Sequence, residues 1–143
     1  MTLAKTLEDL HRLINRQWAL DSARLGISHS EFEYLRAIKA HESERTCQDE
    51  HGQHLQDVVA AMGIKKASAS AMVAKLEKRG LVARIPCRYD ARAQHILLTG
   101  KGREALGSGE EIYEAAATTL RSQIGEEGLS RLAAVLEVDG SNR

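Results

Sequence analysis

The sequence is poor in aromatic side chains: one Phe, one Trp and three Tyr make up only 3% of 143 residues. A core of Ala, Leu, Val and Ile with so few rings suits packed helices better than a β-sandwich. Cysteine is scarce as well. Cys47 and Cys87 alone are too few for the disulfide framework of a small secreted protein. No uncharged run approaches the roughly 20 apolar residues of a membrane span. The opening MTLAKTLEDLHRL lacks a cationic start followed by an apolar stretch, so it is not expected to be a signal peptide. Bulk charge is absent too, because 20 basic and 20 acidic residues cancel. These absences exclude secreted, membrane-embedded, disordered and collagen-like classes. A single domain in a reducing cytoplasm, with no membrane partner, is the expectation.

The zero net charge hides a pattern. Residues 64–103 carry ten cations, Lys65, Lys66, Lys75, Lys78, Arg79, Arg84, Arg88, Arg92, Lys101 and Arg103, against Glu77 and Asp90, a net of +8. The remainder of the chain is therefore −8, and residues 104–143 hold three cations and eight anions. Solvated helix faces account for ordinary charge runs, but one this long and one-signed points to a polyanion-binding face on an acidic body.

Apolar spacing orders the chain. Leu3, Leu7, Leu10, Ile14 and Trp18 recur every three or four residues, the stripe of an amphipathic helix over 3–23, and Gly26 ends it. Ser28 and Glu31 form an S-x-x-E capping box that opens a second helix carrying Phe32, Leu35 and Ile38. Residues 43–53, SERTCQDEHGQ, have no apolar rhythm and exceed the usual link between packed helices. Leu55, Val58, Val59 and Met62 mark a short helix stopped by Gly63; Ala69, Met72, Val73 and Leu76 mark another, stopped by Gly80. Two helices joined by a Gly-containing turn are a helix-turn-helix. LVARIPC (81–87) and HILLT (95–99) flank the polar RYDARAQ (88–94), which predicts a β-hairpin wing with Pro86 on an edge strand. A helix over 100–123 follows, with a kink expected at Gly107 and Gly109, and a last helix lies beyond Gly125 and Gly128. The fold class is mainly α: a winged helix-turn-helix lobe over 28–99, with helical segments 1–24 and 100–143 outside it.

In such a motif the second helix presents its N-terminal residues to base edges in the major groove. Here those are Ala67, Ser68, Ser70 and Ala71, with Lys75 one turn on. Serines bond to bases or phosphates, and the alanines allow close approach. Lys65 and Lys66 stand at the positive end of the helix dipole, an unfavourable place for a cation and a favourable one for an incoming phosphate. The wing adds Arg84, Arg88 and Arg92, and a guanidinium on a narrow hairpin tip can enter the minor groove. Asp90 stands ready to orient Arg92 through the turn. An inconsequential surface ion pair is the plain alternative.

These residues resemble the MarR family of winged-helix transcriptional regulators. The likeness runs through LEKRGLVAR (76–84), the wing D-A-R at Asp90–Arg92 and LLTGKGREAL (97–106), and LGISHSEFEYL (25–35) is similar to the family's second helix. The resemblance implies a homodimeric regulator, more readily a repressor than an activator, gripping pseudo-palindromic double-stranded DNA. The first and last helices would form the dimer, the wing arginine role would fall to Arg92, and the recognition role to Ser68, Ser70 and Lys75. Lys65 departs from the family's small capping residue, Ala71 from its frequent Arg, and the 43–53 link is longer.

Members of this family respond to small molecules, metals or oxidants, so a small-molecule effector is a possible partner. Trp18, Tyr34 and Tyr113 are candidates for its pocket, and ordinary helix packing accounts for them equally well. In the 41–54 stretch, Cys47, His51 and His54 have spacings compatible with zinc, although no paired CxxC anchors them and a solvated loop is the plainer reading. Cys87 lies between Arg84 and Arg88, which favour its thiolate; an unreactive strand-end thiol is the alternative. His95 reads as structural. No cofactor is called for. An enzyme is not expected, since no phosphate loop, nucleophile elbow or H-E-x-x-H motif occurs. The remaining competitor is a winged-helix protein-interaction module without DNA binding.

Overall fold

The computed structural model describes residues 2–42 and 53–140. Their elements run α1 (Leu3–Leu25), α2 (His29–Ala40), β1 (Gln53–His54), α3 (Leu55–Met62), α4 (Lys66–Lys78), β2 (Val82–Pro86), β3 (Gln94–Leu98) and α5 (Gly100–Gly140). The chain divides into two compact units, one of Ser22–Gly109 and the other of the residues up to Asp21 with those from Glu110. The first contains the whole 28–99 lobe.

Local signals set the boundaries within that unit. Ser28 accepts the Glu31 N–H at 3.1 Å and the Glu31 side chain accepts the Ser28 N–H at 3.1 Å, so the capping box satisfies two donors at the start of α2. Gly63 ends α3 at φ 63° and Gly80 follows α4 at φ 74°, backbone positions that a Cβ disfavours. The apolar faces then meet: α2 packs on α3 and β3, and α4 on α3 and β2. Phe32, Leu35, Ile38, Val58, Val73, Leu76, Leu81, Ile96 and Leu106 are all at most 2% exposed. Each such side chain contributes roughly 1.5–3 kcal/mol by leaving water.

β2 and β3 form the expected antiparallel hairpin, with Val82 opposite Leu98 and Pro86 opposite Gln94. β2 is an edge strand, which suits a residue that cannot donate to a ladder. On the other edge lies an unanticipated third strand: β1 pairs with β3, placing His54 opposite His95. Thr99 couples the hairpin to the next helix. Its hydroxyl donates to the Gly80 carbonyl at 2.6 Å and accepts the Gly102 N–H at 3.0 Å, while Lys101 Nζ reaches the Arg79 carbonyl at 3.1 Å. A Cβ on Gly102 would lie 2.0 Å from the Leu81 oxygen. The T-G-K-G run thus fixes α5 against the turn after α4.

The kink expected at Gly107 and Gly109 does not occur. α5 is helical through both, and its break lies at Gly125, with φ 73° and ψ 172°. Gly109 serves a different purpose, since a Cβ there would stand 2.2 Å from the Phe32 ring. It permits close packing rather than bending.

In the other unit Trp18 is buried, as are Ile112 and Ala116. Trp18 meets Tyr113 edge to face, centroids 6.4 Å apart. Leu3, Leu7, Leu20 and Ile124 are exposed, and Leu10, Leu13, Leu120 and Ile124 line an open cleft.

Candidate nucleic-acid interface

The first turn of α4 is bare. Lys65 occupies the N-cap position at φ −72°, ψ 139°, and no side chain caps the helix. The opening N–H groups of a helix have no intrahelical partner, so this end offers donors and positive dipole to an anion. Ala69, Val73 and Leu76 turn inward, leaving Lys66, Ala67, Ser68, Ala71 and Lys75 exposed and Ser70 half-buried. The solvent face of α4 is therefore the one chosen from the sequence.

Lys75 is not wholly free: its Nζ lies 3.9 Å from the buried Glu31 carboxylate. Glu31 is engaged mainly by Arg79, which donates one guanidinium nitrogen to it and another to the Gly26 carbonyl. Burial raises the Glu31 pKa, but the Ser28 N–H, Arg79 and Lys75 outweigh it and leave the carboxyl below its ordinary value. Sequence spacing identified Glu31 as a cap and Lys75 as a DNA contact. It missed that Arg79 ties Glu31 to the loop before α2.

The wing tip is a tight turn. The Asp90 carboxylate accepts the Arg92 N–H at 2.9 Å, and the Ala93 N–H donates to the Asp90 carbonyl at 3.0 Å. Asp90 thus orders the backbone of the turn at Arg92. Arg88, Tyr89 and Arg92 are exposed there. Arg84 is different. Its side chain is 26% exposed and its Nε lies 3.4 Å from the Glu77 carboxylate, so it links β2 to α4. Lys66, Arg84, Asp90 and Arg92 nevertheless line one cleft of about 430 Å³ between α4 and the wing.

The remaining candidates separate. Trp18 and Tyr113 touch within one unit, whereas Tyr34 belongs to the other. Tyr34 is 5% exposed, and burial pushes its phenol pKa up. Cys47 and His51 lie outside the described residues. His54 is described, and its ring centroid stands 4.4 Å from that of His95. Among the described residues one group of potential metal ligands occurs, His54, Cys87 and His95. No described helix is long and apolar enough to cross a membrane.

Residues 25–93 match the MarR family. No curated protein sequence matches the chain. Among solved structures it is similar to MepR from S. aureus in complex with DNA, at 20% identity and a TM-score of 0.73 over 100% of this chain and 99% of that one. It is also similar to the reduced form of MarR from E. coli, at 16% identity and a TM-score of 0.77, covering 96% and 95% of the two chains. The apo form of wild-type E. coli MarR gives 15% identity and 0.76 over 96% of each. At such identities the likeness establishes the winged-helix fold.

Proposed function

With residues 25–93 a MarR-family segment, we propose that the chain is a sequence-specific, double-stranded-DNA-binding transcriptional regulator. It acts as a homodimeric repressor that an effector relieves. The observation that carries this is the shared cleft: the uncapped start of α4 and the exposed Arg92 of the wing face one concavity. The helix end takes a phosphate, Ser68 and Ser70 meet base edges, and Arg92 enters the neighbouring minor groove. Lys65, Lys66, Lys75, Arg84 and Arg88 supply phosphate contacts, and Asp90 keeps the wing turn in shape.

Support for a dimer comes from the other unit, where Leu3, Leu7 and Leu20 are 75%, 58% and 71% exposed. Leu3 and Leu7, four residues apart on α1, share a face, and a contiguous exposed apolar patch marks an interaction surface. A pseudo-palindromic operator follows from two-fold symmetry. The effector would lodge against Trp18, Tyr34 or Tyr113.

Fluorescence anisotropy on duplex DNA across salt concentrations tests the reading. Each neutralised phosphate contributes a slope of about −0.9 in log K against log salt. Several phosphates per chain give a slope steeper than about −4. Weak, salt-indifferent binding would favour the protein-interaction module instead.

A further inference from the structure

We propose that His54, Cys87 and His95 form a zinc site at the base of the wing. The three residues are 41 positions apart at most in sequence terms, yet the sheet gathers them: His54 closes β1 opposite His95 on β3, and Cys87 follows β2 with its N–H bonded to the Ala93 carbonyl at 3.1 Å. One potential ligand atom from each lies within 4.8 Å of the other two. They are 6%, 6% and 0% exposed. Moreover, the buried His54 Nε2 has no hydrogen-bond partner. An imidazole nitrogen withdrawn from water without a partner costs free energy, and a metal ion would remove that cost.

The donor set selects the ion. A thiolate and two imidazoles disfavour magnesium and calcium, which take oxygen, and suit zinc. Tetrahedral zinc with its usual bond lengths separates nitrogen and sulfur ligands by about 3.3–3.6 Å. Drawing the three groups together by about an ångström reaches that geometry and leaves the fourth position for water. Binding releases the thiol proton, with the histidines neutral. The ion would fasten β1 and the start of α3 to both sides of the wing stem. This site does not depend on the DNA-binding reading, and it shares only His54 with the 41–54 stretch.

The test is titration of the full chain, stripped with EDTA, with Co²⁺ and then Zn²⁺. Expected is equimolar Co²⁺ binding with a thiolate-to-cobalt charge-transfer band in the near ultraviolet, abolished by Zn²⁺. Cys87→Ser should remove the band and weaken Zn²⁺ binding by more than about 100-fold, because losing even an outer-shell partner costs 10–100-fold. His54→Gln should weaken binding likewise and serves where Cys87→Ser does not fold, as judged by circular dichroism. Dependence on these residues supports the site whatever Cys47→Ser does. Absence of equimolar binding, or a band that survives Cys87→Ser, overturns it; loss in Cys47→Ser alone would move the metal to the 41–54 stretch.

Discussion

Arg79 at the end of α4 donates to the carboxylate of Glu31 on α2, 48 residues earlier in the chain. The same guanidinium holds the Gly26 carbonyl. One arginine therefore joins the C-terminal end of the proposed recognition helix to the loop and cap that begin α2.

Removing Glu31 should cost stability and change its pH dependence. Glu31→Gln keeps the size but loses a charged acceptor at a site 4% exposed, with an expected cost of about 1.5–3 kcal/mol. The folded carboxyl pKa is lowered: burial raises it, and the Ser28 N–H, Arg79 and Lys75 more than compensate. Its stabilisation is thus fully present above the unfolded carboxylate value and is lost as pH falls through the lower folded value. Urea unfolding across that acidic window should show a decline in the wild type that is shallower in Glu31→Gln.

Two glycines two residues apart, on opposite sides of α5, should respond oppositely to alanine. A Cβ at Gly109 would stand 2.2 Å from the Phe32 ring, whereas one at Gly107 meets nothing within 4 Å. Gly109→Ala is expected to destabilise by about 1–3 kcal/mol through overpacking. Gly107→Ala should stabilise by roughly 0.5–1 kcal/mol, the helix-interior advantage of Ala over Gly. Thermal unfolding of the pair checks both signs.

Arg92→Ala should weaken DNA binding without unfolding the protein, because Arg92 is exposed at the wing tip. The salt dependence should become shallower as well, because a cation withdrawn from the groove releases fewer counterions. Asp90→Ala should weaken binding too, through the lost bond to the Arg92 N–H. Unchanged affinity in both variants would remove the wing from the account.

Ser68→Ala and Ser70→Ala should reduce discrimination between DNA sequences more than affinity for random duplex. Base contacts carry sequence information, while phosphate contacts do not. Competition binding with specific and random duplexes separates the two, and equal losses on both would count against base readout.

Much of this was legible from short-range chemistry. The Ser28–Glu31 box, the stops at Gly63 and Gly80 and the apolar runs on either side of RYDARAQ each concern residues a few positions apart, where spacing dictates geometry. Long-range pairing was not legible. β1 is two residues beside a polar stretch with no alternation to mark it, and nothing in Glu31 or Arg79 alone announces their union. Gly109 was misread because a helical glycine that bends and one that admits a neighbouring ring look alike in sequence. His95 read as structural for the same reason: only the register with β1 brings His54 opposite it.

The most direct measurement is selection of duplexes from a random library by the full chain. The account predicts enrichment of one pseudo-palindromic sequence, its half-sites separated by about one helical turn and bound roughly 10³-fold or more above bulk DNA. A library recovered without enrichment, at uniform affinity, would contradict it.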